Sequence, residues 1–206
     1  AEKIATRAAY GKALVEFGET VPELIVMDAD LAGATMTNGF AKAFPERFLD
    51  MGIAEADMMG VAAGLAACGK KVFATSFAMF AAGRAWEQVR NSICYPRLGV
   101  KVVGSHGGLS VGEDGATHQC IEDFAIMRAI PGMTVINPAD AVEAEQAVMA
   151  ALEMEGPCYL RFGRLAVPVL FDESYRFEIG KGVELVSGTD VTVIATGLMV
   201  HEAVEA

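Results

Sequence analysis

Residues 105–119, SHGGLSVGEDGATHQ, hold four glycines, two histidines and two carboxylates in fifteen positions. Glycine lets a backbone approach a ligand closely. His106, Asp114 and His118 add donors, acceptors and titratable groups. Asp114 and His118 stand four apart, and with His106 they could be read as metal ligands. A glycine-rich loop offers no fixed helical frame for such a set. A loop that binds a polyol or moves protons fits the composition better, and no metal-binding residues are assigned.

Other chemistry-bearing residues are spread along the chain. Glu55 lies in DMGIAEADM, among Gly, Ile, Ala and Met. A carboxylate in a first helical turn is often there for the macrodipole. In so apolar a setting it could also be an acid tuned for proton transfer to a ring nitrogen. Phe77 and Phe80, in TSFAMF, could be core, or a flat wall for a heteroaromatic ring. Arg164, in LRFGRL, is a surface ion-pair residue or a clamp on a sugar phosphate. Asp28 and Asp30 follow a run of apolar residues in ELIVMDAD.

These residues share one property: each follows a stretch that reads as a β-strand. The strands are placed at 23–30, 47–53, 70–76, 98–105, 133–138 and 157–162. Helical patterns fall at 4–18, 39–43, 55–69, 80–93, 121–130 and 139–154. Strands alternating with helices imply parallel pairing with right-handed crossovers. Strands apolar at nearly every position imply a sheet covered on both faces. The expected fold is α/β, a parallel sheet of about six strands with helices on both faces. In such sheets ligands bind at the carboxyl ends of the strands, where the chemistry-bearing residues gather. The first domain is expected over 1–165 and a surface-hugging linker over 166–188. A further strand is expected at 189–197, opening a second α/β domain (189–206) of which only the start is present.

Composition removes several function classes. Lys and Arg number 16 against 27 Asp and Glu, a net charge of −11. No basic cluster exists to displace counterions from nucleic acid, and the charge disfavours an anionic membrane surface. No apolar run reaches the length of a membrane span. Cys68, Cys94, Cys120 and Cys158 are widely spaced and form no CxxC, so reduced thiols in a cytoplasmic protein are expected.

The segments GIAEADMMGVAAGLA, TSFAMF, GSHGGLSVGEDGATHQ, INPADAVEAEQAV and GPCYLRFGR together resemble the pyrimidine-binding module of the transketolase family of thiamine diphosphate enzymes. The resemblance is strongest to the C-terminal subunit of split transketolases. It implies that Glu55 hydrogen-bonds N1′ of the cofactor's aminopyrimidine and promotes its activating tautomer. It implies that Phe80, with Phe77 beside it, stacks on that ring, and that Asp30 lies near the cofactor. His106, Asp114 and His118 would contact the sugar donor and assist proton transfer, and Arg164 would hold the acceptor phosphate.

Three departures stand out. Gly83 replaces a tyrosine common near the pyrimidine. Ala34 replaces a phosphate-binding serine, with Thr35 adjacent. The Gly-Asp-Gly…Asn signature that binds diphosphate is missing. The resemblance therefore implies a half-site. Thiamine diphosphate and Mg²⁺ would be held with an N-terminal transketolase-type subunit, around a homodimer of this chain, for transfer of a two-carbon ketol unit between sugar phosphates. Without that subunit, Glu55 is expected to stand open to water. Two other readings belong beside this one. A deoxyxylulose phosphate synthase or a 2-oxo acid dehydrogenase β subunit is opposed by the GEDGATHQ loop. A non-catalytic scaffold has no need of Glu55, both phenylalanines and both histidines together.

Overall fold

The computed structural model describes residues 2–206. Six parallel strands form the central sheet, in the order β3-β2-β4-β5-β7-β6. They are β2 (Leu24–Asp28), β3 (Phe48–Asp50), β4 (Lys71–Phe77), β5 (Val100–Ser105), β6 (Thr134–Ile136) and β7 (Cys158–Phe162). A separate antiparallel ribbon joins β1 (Lys3–Ala5) to β8 (Ala166–Pro168). The helices are α1 (Thr6–Thr20), α2 (Ala32–Thr35), α3 (Asn38–Ala43), α4 (Glu55–Ala67), α5 (Trp86–Gln88), α6 (Asp123–Arg128), α7 (Ala141–Glu153) and α8 (Met199–Glu205). Among the described residues no helix is long and apolar enough to cross a membrane.

The sheet is apolar on both faces because both are covered. On one face Tyr10 and Leu14 of α1 and Ala144 and Val148 of α7 pack on Phe73 and Phe162. On the other, Met58, Met59 and Ala62 of α4 meet Val72, Ala74, Val89 and Tyr159. Small residues along α4 let it lie close to the sheet. Helix α7 starts where its sequence says it should. Asp140 accepts from the Glu143 amide at 2.8 Å, and Glu143 returns a bond to the Ala139 amide at 2.6 Å, a capping-box exchange. The second Asp140 oxygen accepts from the Leu170 and Phe171 amides and so ties down the chain leaving the domain.

Three expectations change. Residues 189–197 are not a strand: among the described residues the segment forms no ladder and hydrogen-bonds to the body only at its end, where the Gly197 amide donates to the Asn137 carbonyl at 3.2 Å, and Val191, Val193 and Ile194 lie exposed. Apolar, β-branched sequence makes a strand only where a ladder partner satisfies its backbone. Residues 166–168, expected within the linker, are instead paired with the N-terminus. The helix expected at 80–93 is interrupted. Met79–Arg84 and Val89–Cys94 are π-helical turns flanking α5, with i→i+5 bonds such as the Ala85 amide to the Phe80 carbonyl at 3.2 Å. The Ala81-Ala82-Gly83 run carries little side-chain bulk to oppose the wider turn.

Candidate active site

The carboxyl ends of β4 and β5, in the middle of the sheet, deliver Phe77 and Ser105 to one edge. His106 follows β5 directly in a left-handed conformation (φ 58°), which turns its ring back onto the edge. It stacks on Phe77 with centroids 4.0 Å apart and is only 3% exposed. Arg7, from the first turn of α1, reaches His106 Nε2 at 3.1 Å. A guanidinium can only donate, so Nε2 accepts. Nδ1 therefore carries the proton and faces the Ser105 hydroxyl oxygen at 2.8 Å. Burial first, then the charges of Arg7 and Arg164, push the imidazole down to about 4. His106 is thus a neutral imidazole at physiological pH.

The loop after His106 is braced from beneath. Gly108 donates its amide to the Cys120 carbonyl at 2.7 Å. Arg161 of β7 pairs with the buried Asp123 at 2.9 Å, and Tyr159 donates its hydroxyl to the same carboxylate at 2.8 Å. A Cβ on Gly107 would strike the Arg161 guanidinium, so glycine is required where the loop crosses it. At its far end, Gly112 (φ 92°) leaves room for Arg164, which pairs with Glu113 at 3.0 Å. His118 closes the loop with its ring edge-on to Phe80 at 5.2 Å and to Phe77 at 6.2 Å. Its Nδ1 lies 2.9 Å from the Thr117 hydroxyl.

Glu55 opens α4 and is 1% exposed. The expectation that it stands open to water is therefore corrected. Arg84 covers it, with Nη1 3.1 and 2.9 Å from the two carboxylate oxygens. The same guanidinium carbon lies 4.7 Å from the centre of the Phe80 ring. Direct contacts thus run without a break from Glu55 through Arg84, Phe80, His118, Phe77 and His106 to Arg7.

Three sequence-derived candidates stand outside this chain of contacts: Asp30, Asp114 and Arg164, the last paired with Glu113. Asp30 is exposed at the end of β2, in a left-handed conformation, and its amide donates to Asp50 at 3.1 Å. Asp114 is exposed on the loop and acts on His106 only through its charge. Asp28 is buried as a structural acceptor for Leu31, Thr35 and Thr37, and burial raises its carboxyl. Among the described residues no three His, Cys, Asp or Glu side chains gather as metal ligands. Sequence reasoning missed Arg7, Arg84 and the Asp123–Arg161 brace. Arg84 had a signal, since it follows Phe80 at the i,i+4 spacing that puts two side chains on one face. Arg7 had none, because its partner lies 99 residues away.

Comparison with known proteins finds a match to the family model "Transketolase, pyrimidine binding domain" over residues 2–169. A chain from Methanocaldococcus jannaschii, described as the C-terminal section of a transketolase, is 52% identical over 97% of this chain and 64% of its own length. A 6-deoxy-6-sulfo-D-fructose transketolase subunit from Clostridium sp. (strain MSTE9) is 43% identical over 96% of this chain and 61% of its own. A solved split-gene transketolase, described as an inactive β4 tetramer, superposes with a TM-score of 0.90 at 55% identity, over 99% of this chain and 66% of that one. The chain thus spans about two thirds of the length of these relatives.

Proposed function

Because the chain belongs to the transketolase family through its pyrimidine-binding domain, we propose that it is the pyrimidine-binding half of a split, thiamine diphosphate-dependent transketolase. In this reading it moves a two-carbon ketol unit between sugar phosphates. The reading is carried by the unbroken line of contacts from a buried carboxylate, across two aromatic rings, to a neutral imidazole beside two arginines.

The residues present fit the aromatic end of the cofactor. Glu55 is a buried acceptor at the sheet edge, and Phe80 is a half-exposed ring beside it. When bound, thiamine diphosphate supplies the electron sink that C–C cleavage and formation require. Glu55 would hold the pyrimidine through N1′, and Phe80 and Phe77 would wall the ring. His106, kept neutral with both ring nitrogens engaged by Arg7 and Ser105, holds the Arg7 guanidinium in place at the sugar end of the site. His118, at the loop's closing end, is placed to move a proton on the sugar. Arg7 and Arg164 flank His106 closely enough to depress its pKa, and together they suit a terminal anion on the sugar. Asp30 and Asp114 sit at the rim, where they reach solvent-facing parts of cofactor and substrate.

The chain offers no Gly-Asp-Gly…Asn for the diphosphate. We assign that end and its Mg²⁺ to an N-terminal transketolase-type subunit, in an α₂β₂ assembly around a homodimer of this chain, in a cytoplasmic setting that suits four free thiols. Residues 189–206, with their exposed valines and isoleucine, are read as the opening of a further domain. Isothermal calorimetry tests the assignment. The chain mixed with a Gly-Asp-Gly-bearing subunit is expected to bind thiamine diphosphate in a Mg²⁺-dependent way, and the chain alone is expected to show no appreciable affinity. Tight, stoichiometric binding of cofactor and Mg²⁺ by the chain alone overturns it.

A further inference from the structure

Arg84 makes two contacts, and both fall on groups assigned above to the aminopyrimidine. One guanidinium nitrogen bridges both oxygens of Glu55, and the guanidinium plane rests over Phe80. A guanidinium and an aminopyrimidine share the features such a site reads. Both are flat, both meet a carboxyl group through an in-plane nitrogen (an N–H of the guanidinium, or N1′ of the pyrimidine sharing a proton with the acid), and both stack on an aromatic face. We propose that Arg84 is an internal stand-in for the aminopyrimidine: it occupies the site before the ligand arrives and must leave it for the ligand to bind. This rests on the assignment of Glu55 and Phe80 to that ring.

Three observations support an exchange rather than a permanent ion pair. The partners are unequally buried, Glu55 at 1% and the Arg84 side chain at 51% exposure, so the arginine can swing into water at little cost while the acid cannot. Among the described residues the acid has no other hydrogen-bond partner. Burying it unpaired would be costly, so the site needs an occupant at all times. Arg84 also ends a π-helical turn, Met79–Arg84, which is bonded i→i+5, and Gly83 beside it adds no side chain to the wall. The wider turn brings the arginine above Phe80 on a stretch of backbone held less regularly than an α-helix. Ligand affinity is then reduced by the fraction of molecules in which the arginine is out.

The only tryptophan, Trp86, lies two residues from Arg84 and is fixed by its bond to the Ile126 carbonyl, so it reports on the site. The test titrates the 206-residue chain with 4-amino-2-methylpyrimidine, a probe without diphosphate, and follows Trp86 emission and its indole proton resonance. R84M is expected to bind the probe at least tenfold more tightly than the unmodified chain. R84K keeps the charge but loses the flat fork, and is expected to gain about threefold; it also carries the test if R84M fails to fold. The gain must vanish in the double variant E55Q/R84M, because the competition runs through Glu55. Equal or weaker binding by R84M, with E55Q weakening both backgrounds, overturns the stand-in while leaving the site assignment in place. No binding of the probe by R84M or R84K overturns the stand-in, while the site assignment stands or falls separately on the two-chain calorimetry.

Discussion

The two ends of the contact line satisfy their buried groups in opposite ways. At the Glu55 end, a buried charge is neutralised by a single half-exposed side chain on a widened helical turn. At the His106 end, an imidazole is kept neutral by burial and the charges of Arg7 and Arg164 and is fixed by Ser105 and the face of Phe77, on a loop braced by the Asp123–Arg161–Tyr159 cluster. Both arrangements answer the same cost, that of a buried polar group without a partner. A single solvent-facing partner can be exchanged for a ligand. A network of locked partners cannot, and so it presents a ready-made surface. Under the proposed assignment, the sugar end is preorganised, while the pyrimidine end is prepared by occupying itself.

The largest expected effect breaks the comparison at its charged end. Glu55→Ala in the reconstituted two-chain enzyme is expected to lower turnover by about 10²–10⁴-fold, the range of a lost acid–base group. Near-normal steady-state rates with normal cofactor loading would remove Glu55 from the chemistry.

A smaller effect probes the preorganised end. Arg7→Met is expected to raise KM for a phosphorylated sugar by roughly 10–100-fold with kcat little changed, the worth of one charge-assisted bond present in ground and transition states alike. A fall in kcat at constant KM would instead show that Arg7 acts on the reacting atoms.

The smallest effect is on stability. His106 is pushed down to about 4 in the folded chain, against ~6.5 when unfolded. The unfolded chain therefore binds the extra proton first as pH falls. The stability this histidine supports is full above ~6.5 and is lost progressively as pH drops toward 4. Urea unfolding at about pH 7 and about pH 5 should show a loss on the order of 1 kcal/mol, after allowance for solvent, that His106→Asn reduces. An unchanged pH slope in that variant would mean the imidazole is not held neutral.

The parallel six-stranded sheet, its two-sided burial and the edge where the candidate residues gather were all legible in the sequence. They follow from periodicity and strand hydrophobicity, which are local along the chain and register burial directly. The places of Glu55, Phe77 and His106 at the sheet's carboxyl edge were legible for the same reason, because Phe77 ends β4, His106 follows β5 and Glu55 opens the helix after β3. Residues 189–197 show the limit of that reading. Their pattern is that of a strand, yet a strand exists only with a ladder of bonds to a neighbour, and among the described residues Asn137 meets only the segment's end. What the sequence determined by itself was which residue types reach the sheet edge. What only the tertiary structure decided was how they pair. Arg7 meets His106 across 99 residues and Arg84 meets Glu55 across 29. Such pairings depend on helix placement and on the π turns at Met79–Arg84. The charge each group carries follows from burial and from neighbours brought in by the fold, which no stretch of sequence contains.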